Sequence, residues 1–129
     1  MQIFIVIHGS PWASQAGSSA LQFADAAIAA GHAIYRVFFY HDAVLTASAP
    51  PGSSQEQTSM GRRWGIFSRE HGTELVVCIS AALRRGIQVE GEGDDQQQPV
   101  SLLPGFEVAG LGQYVDGVLR SDRTISFGG

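Results

Sequence analysis

The chain has 129 residues, of which 44% are hydrophobic and 16% are charged, a composition that predicts one globular domain, 1–129, with a core of its own. Eight basic residues, all arginine, stand against twelve acidic ones, and the net charge of −4 argues against direct binding of a nucleic-acid backbone. A single cysteine excludes an intramolecular disulfide framework and a zinc site built from several cysteines.

The apolar segments bear on whether the protein crosses a membrane and in which compartment it is expected. No uninterrupted apolar run approaches the roughly 20 residues that cross a bilayer, so we expect no membrane span. The first residues, MQIFIVIHGSPW, lack the basic region and the long apolar region of a signal peptide. We therefore expect a mature cytoplasmic protein.

The first third of the chain predicts a strand, a helix and a second strand. Residues 2–7 are apolar and rich in β-branched side chains without alternation, which is typical of a strand buried on both faces of a sheet. Residues 33–40 predict the second strand. Between them, Ser18 or Ser19 is expected to cap a helix that ends at Gly31. The apolar positions of this helix recur at helical spacing: Leu21, Ala24, Ala27 and Ile28.

After a polar loop at 48–57, the chain continues to alternate between helices and strands. The next expected element is a helix with Met60, Trp64 and Phe67 on one stripe, which closes at His71 and Gly72. It is followed by a strand at 74–79 and by a short helix at 80–85 that is stopped by Gly86. The last three expected elements are a strand at 106–109, a helix marked by Leu111, Val115, Val118 and Leu119, and a strand at 124–127. Residues 91–98 are acidic and low in complexity, which predicts a solvated loop.

This alternation predicts a three-layer α/β domain of the flavodoxin-like type, with a mostly parallel sheet. In the flavodoxin-like strand order, the first and third strands are neighbours. Ligands in open α/β sheets bind outside the carboxyl ends of the strands. The residues that follow each strand are therefore the candidates for a functional site.

Cys78 is the strongest of these candidates, because it ends the third predicted strand and precedes a short helix. The unpaired backbone N–H groups of a helix N-terminus favour a thiolate, which is the nucleophilic form of cysteine. Ser80 lies in the first turn of that helix, and Arg84 and Arg85 follow within two turns and could add positive potential. The alternative is that Cys78 is an ordinary buried small side chain.

His8 and Ser10 end the first predicted strand. If the first and third strands are neighbours, both residues lie beside Cys78, and His8 could act as a base or orient the thiol. The alternative is that His8 closes a hydrogen bond at the end of its strand.

The remaining histidines and the aromatic residues are less specific. The spacing of His32, His41 and His71 matches no metal-binding motif, so we expect no metal site. A group of aromatic residues lies close to the expected strand ends and either faces a partner or packs in the core: Trp12, Phe38, Phe39 and Tyr40.

The chain resembles the cysteine-bearing, TusD-type sulfurtransferase subunits of the DsrE-like family. The similarity is carried by the segments IFIVIHGSPWASQAGSSALQFADAAIAAGH, RVFFYHDAV, ELVVCISAALRRG, GFEVAGLG and DRTISF. It covers nearly the whole chain and weakens only in the loops at 48–58 and 90–100. The most specific segment is the strand with its cysteine, followed by Ala-Ala-Leu-Arg-Arg-Gly.

The resemblance implies that Cys78 carries a persulfide and that no metal or organic cofactor is needed. It disfavours a catalytic role for His8, since family members commonly have a Thr-like residue at this position. It also implies a DsrE-like fold.

The resemblance further implies partners. They are TusB-like and TusC-like subunits in a heterohexamer, a TusA-like sulfur donor and a TusE-like sulfur acceptor. The sulfur would become the 2-thio group of the wobble uridine in tRNA, without direct binding of the RNA by this acidic chain.

Two other functions remain open at this point. The chain could be a DsrE-type subunit that serves sulfur oxidation with the same cysteine chemistry. It could also be a non-catalytic α/β subunit of an assembly, in which Cys78 only fills space.

Overall fold

The structure, a computed structural model, describes residues 1–50, 52–87, 89–90, 98–99 and 102–128. Its elements, in chain order, are β1 (Gln2–Ile7), α1 (Ala16–Ala29), β2 (Ala33–Phe39), a 3-10 helix (His41–Ala47), α2 (Ser59–His71), β3 (Glu74–Cys78), α3 (Ile79–Arg84), β4 (Val89–Glu90), β5 (Gln98–Pro99), β6 (Phe106–Ala109), α4 (Gly112–Arg120) and β7 (Arg123–Phe127). The predicted alternation of strands and helices is confirmed.

Five strands form one all-parallel sheet in the order β6-β3-β2-β1-β7. This order corrects the flavodoxin-like one, because β2 lies between β1 and β3. From β1 to β3 each new strand is added beside its predecessor, β6 continues that side, and only β7 returns to the far side of β1. The apolar strands carry no sequence signal for their order, since each of them could be buried beside any other.

Helices cover both faces of this sheet, which confirms the three-layer α/β class. On one face, Phe39 of β2 packs edge-on against Trp64 of α2, with 5.9 Å between the ring centroids. On the other face, Phe38 packs against Tyr114 of α4 at 5.6 Å. Neighbouring residues of a strand point to opposite faces, so these two phenylalanines place α2 and α4 on opposite sides. Both are fully buried, and they therefore belong to the core.

Most helix ends agree with the sequence, and the start of α1 does not. Gly72 ends α2 in a left-handed conformation, with φ of 67°, as glycine does at many helix ends. Helix α1 begins at Ala16, before the expected serine caps. The hydroxyl of Ser14 accepts a hydrogen bond from the N–H of Ala16 at 3.0 Å, so the first turn already has a side-chain acceptor. Ser18 and Ser19 lie inside the helix.

Three elements are missing from the sequence-based description. The 3-10 helix at His41–Ala47 follows β2 directly, and β4 and β5 form an antiparallel pair of two residues each. Gln98, expected in the acidic loop, belongs to β5; the rest of that loop, 91–97, lies outside the described residues. Over the part of the chain that is described, no helix has the length and apolar composition of a membrane span.

The four apolar residues that predict α4 face away from the sheet. Their exposures are 50% for Leu111, 53% for Val115, 42% for Val118 and 78% for Leu119. The face of α4 that meets the sheet uses Tyr114 and the buried Gly117, both against Phe4. The spacing thus predicts the helix correctly, but it does not mark the buried face.

Candidate functional site

Cys78 lies where β3 ends and α3 begins. It is the last residue of the strand and the N-cap of the helix, with φ of −67° and ψ of 120°. Its backbone pairs with Ala109 of β6, and only 2% of the residue is exposed. The predicted position at a carboxyl end of the sheet is confirmed, and the thiol is enclosed by the protein.

The face to which Cys78 points follows from the register of the sheet. Arg36 of β2 is paired with Glu74 of β3, and their side chains form an ion pair at 2.7 Å on the face covered by α4. Side chains alternate along a strand, so Cys78, four residues after Glu74, shares that face. Val77 is paired with Phe39, which places Cys78 level with Tyr40.

Arg85 forms an ion pair with Asp42, which lies in the neighbouring 3-10 helix. Its Nε donates to the Asp42 carboxylate at 2.9 Å, and its Nη1 donates to the carbonyl of Ala81 at 3.2 Å. Arg84 and Ser80 are exposed. Among the described residues, none of these three side chains makes a hydrogen bond to Cys78.

His8 is not beside Cys78, which corrects the expectation. Strand β2 separates the two strands, and a spacing of about 4.8 Å between neighbouring strands puts β1 about 10 Å from β3. The imidazole of His8 lies 5.3 Å from that of His41, centroid to centroid. Burial, and then the charge of His41, lower the pKa of His8, so it is neutral near pH 7. A neutral imidazole on a strand about 10 Å from β3 adds no positive potential at the Cys78 thiol.

The other candidates have structural roles. The hydroxyl of Ser10 accepts hydrogen bonds from the N–H groups of Trp12 and Ala13, which stabilises the turn after β1. The indole N–H of Trp12 donates to the carbonyl of Gln57 at 3.1 Å. Nδ1 of His32 lies 3.1 Å from the amino-terminal nitrogen. Within the described ranges, no three His, Cys, Asp or Glu side chains come close enough to hold a metal ion.

An open cavity of the described residues lies away from the thiol. Its volume is about 520 Å³, and it lies between the start of α1 and the end of β7, with Ser14, Ser19 and Ser126 in its wall. Strands β1 and β2 separate β7 from β3. The cavity is therefore no part of the candidate site around Cys78.

Asp42 is the residue of this region that the sequence does not identify. It lies 43 positions before Arg85, in the first turn of the 3-10 helix. That helix was not predicted, and no local pattern connects the two residues. Only the adjacency of β2 and β3 in the sheet brings them together.

Comparison with known proteins identifies relatives of this chain. The model of the DsrE/DsrF-like family matches residues 1–127. The sulfurtransferase TusD of Serratia proteamaculans is 41% identical over 95% of this chain and 96% of its own length. A protein named DsrE from Allochromatium vinosum is 38% identical over 99% of both chains.

A solved structure supports the fold independently. The crystal structure of the YchN protein from E. coli has a TM-score of 0.71 and covers 98% of this chain and 100% of its own. At 23% sequence identity this likeness shows the fold alone. Family match, relatives and fold agree, and the chain belongs to the DsrE/DsrF-like family.

Proposed function

We propose that the protein is a sulfurtransferase subunit that accepts persulfide sulfur on Cys78 and passes it to a downstream carrier. The observation that carries this proposal is a single cysteine at a strand–helix junction on the carboxyl edge of the sheet. The names of relatives that align over almost the whole chain support it, since TusD is named a sulfurtransferase.

The reaction is thiolate attack on a persulfide. The Cys78 thiolate attacks the terminal sulfur of a donor persulfide, and a new S–S bond forms on Cys78. The S–S bond of the donor breaks, and the donor's own cysteine sulfur leaves as a thiolate. Cys78 then carries the persulfide, and no electrons are gained or lost overall. The second transfer repeats this exchange, with the acceptor's thiolate as nucleophile.

The chain contains no second thiol, and this determines how the persulfide can leave. An internal cysteine cannot attack it, so release requires a thiol from another molecule. The 2% exposure of Cys78 protects a bound persulfide from small thiols in solution. It also means that the site has to open before transfer.

The proposed pathway is tRNA thiolation. The donor is a TusA-like carrier, the acceptor is a TusE-like carrier, and the product is 2-thiouridine at the wobble position. The chain works in a heterohexamer with TusB-like and TusC-like subunits. Such an assembly would also cover apolar surface that the single chain leaves exposed, such as Leu119.

A DsrE-type role in sulfur oxidation is the second candidate. It is favoured by the relative from Allochromatium vinosum, which is named DsrE and aligns over 99% of both chains. The chemistry at Cys78 is the same in both pathways. The two candidates differ only in the proteins that supply and remove the sulfur.

Complementation in cells tests the function and separates the pathways. In a strain that lacks its own TusD, the wild-type chain is expected to restore 2-thiouridine when its partner subunits are supplied, and Cys78→Ser is expected not to. Ser80→Ala is the matched control, because this exposed side chain lies two residues away and should leave thiolation intact.

Thiolation at the wild-type level with Cys78→Ser would show that the nucleophile is assigned wrongly. Failure of the wild-type chain to restore thiolation, together with rescue of sulfur oxidation in a strain lacking DsrE, would favour the second pathway. Equal performance of all variants in both strains would leave only a packing role for Cys78.

A further inference from the structure

An ion pair connects the two segments that follow β2 and β3. Asp42 is in the first turn of the 3-10 helix, and Arg85 caps the carboxyl end of α3. Their side chains meet at 2.9 Å, and the same guanidinium donates to the carbonyl of Ala81 inside α3. The carboxylate of Asp42 is 62% exposed, and the Arg85 side chain is 26% exposed.

The two segments are also packed against each other. In the 3-10 helix Ala43 and Val44 are fully buried, and in α3 Ala81 and Ala82 are buried to the same degree. These apolar side chains pack the two segments together, and the ion pair lies on the solvent side of this contact. Displacement of α3 therefore requires the ion pair to break.

Cys78 lies at the point about which such a displacement would occur. It is the last residue of β3 and the N-cap of α3, and α3 has only six residues. The strand is held on both sides by the sheet, between β2 and the edge strand β6. A movement of α3 against the sheet must therefore be taken up by the backbone at Cys78, and this changes the enclosure of its thiol.

We propose that the Asp42–Arg85 ion pair positions α3 and thereby keeps the Cys78 thiol enclosed. Arg85 is thus a positioning residue that acts through α3, in place of the electrostatic activation of the thiolate expected from the sequence. This inference rests on the proposed function, because it concerns how the sulfur-carrying thiol is uncovered for a partner.

The two roles of Arg85 predict opposite effects on thiol reactivity. If Arg85 stabilised the thiolate by its charge, Arg85→Gln would slow alkylation of Cys78. If Arg85 holds α3 in place, Arg85→Gln opens the site more often and alkylation becomes faster. Exposed ion pairs contribute little, so we expect an increase of about two- to fivefold.

The experiment measures the alkylation rate of the full-length protein with iodoacetamide under native conditions. Because the chain has one cysteine, the rate reports on Cys78 alone. Arg85→Gln and Asp42→Asn should each raise the rate, and the charge swap that combines Asp42→Arg with Arg85→Asp should bring it back towards wild type.

Two controls separate positioning from charge and from general instability. Arg84→Gln makes the same charge change one residue away, at an exposed arginine with no ion pair among the described residues, and should leave the rate unchanged. All variants should be alkylated at the same rate in denaturant. Differences between their urea unfolding midpoints should not explain the differences between their alkylation rates under native conditions.

Faster reaction of both single variants, with recovery in the charge swap, supports the inference. An unchanged or slower rate in Arg85→Gln, an equal effect of Arg84→Gln, or no recovery in the swap overturns it. Alkylation uses no sulfur donor, so this result is independent of whether Cys78 accepts persulfide.

Discussion

Arg36 is the buried charge that fastens α4 to the sheet. Its guanidinium donates to Glu74 of β3 at 2.7 Å and to Asp116 of α4 at 2.8 Å. The hydroxyl of Tyr35 donates to the same Asp116 oxygen at 2.9 Å, and Arg120 donates to the other oxygen. The residue itself is 5% exposed, and a buried charge is tolerated only when it is paired in this way.

Asp116 makes the stability of this network depend on pH. Hydrogen bonds from Arg36, Tyr35 and Arg120 lower its pKa from 3.8 to about 2. A lowered pKa in the folded state contributes stability above the pKa of the unfolded chain, and that stability is lost as the pH falls through the folded value. We therefore expect wild type to lose stability across the interval between these two pKa values.

Urea unfolding at a series of pH values across that interval measures this effect. Asp116→Asn should be less stable than wild type at neutral pH, and the difference should shrink as the pH falls towards 2. A difference that stays constant over the whole interval would show that Asp116 does not carry this dependence.

At the residue level, the sequence identifies Cys78 and misses its surroundings. A lone cysteine before a predicted helix is visible because strand, thiol and helix are contiguous. Asp42 and Arg85 are 43 positions apart, and their pairing depends on a strand order that no local pattern contains. The same strand order explains why His8 does not lie beside the thiol, since that position depends on the first and third strands being neighbours.

At the level of elements, α4 approaches the sheet closely because residue 117 is glycine. A Cβ added there would lie 2.6 Å from the ring of Phe4, so the helix or the ring would have to move. We expect Gly117→Ala to destabilise the protein by about 1–3 kcal/mol, in spite of the higher helix propensity of alanine. Thermal or urea unfolding measures the change.

Gly112→Ala is the matched control for this prediction. It lies in the same helix, and no neighbouring atom of the described residues lies within 4 Å of the added Cβ. It should be neutral or stabilising, by up to about 1 kcal/mol. Equal stability of the two variants would contradict the close approach of α4 to Phe4.

The elements themselves could be predicted because most of their signals are local. Buried strands such as β1 are continuous apolar runs, and Gly72 marks the end of α2. The orientation of α4 could not be predicted, because its spacing does not tell an inward apolar face from an outward one. Arg36 is the one residue that indicates this orientation. It places a charge inside an apolar strand, and such a charge needs a partner on the helix that covers it.

For the whole molecule, the proposed role implies an assembly of related subunits. Co-expression with TusB-like and TusC-like chains is expected to give a complex of defined stoichiometry on a sizing column. Cys78→Ser should assemble equally well, because the change is nearly isosteric and the residue is enclosed within its own chain. A chain that stays monomeric beside these partners would contradict the assembly.

In the proposed function Cys78 carries transferable sulfur, and intact mass spectrometry of the assembled complex detects this sulfur on the chain itself. After incubation with a persulfide-loaded TusA-like carrier, the wild-type chain should gain the mass of one sulfur atom, and it should lose this mass when it is unfolded in the presence of a thiol reductant. Cys78→Ser should gain nothing, since the chain has no other thiol. A wild-type chain that gains no sulfur, or a Cys78→Ser chain that gains as much, would show that Cys78 is not the sulfur carrier.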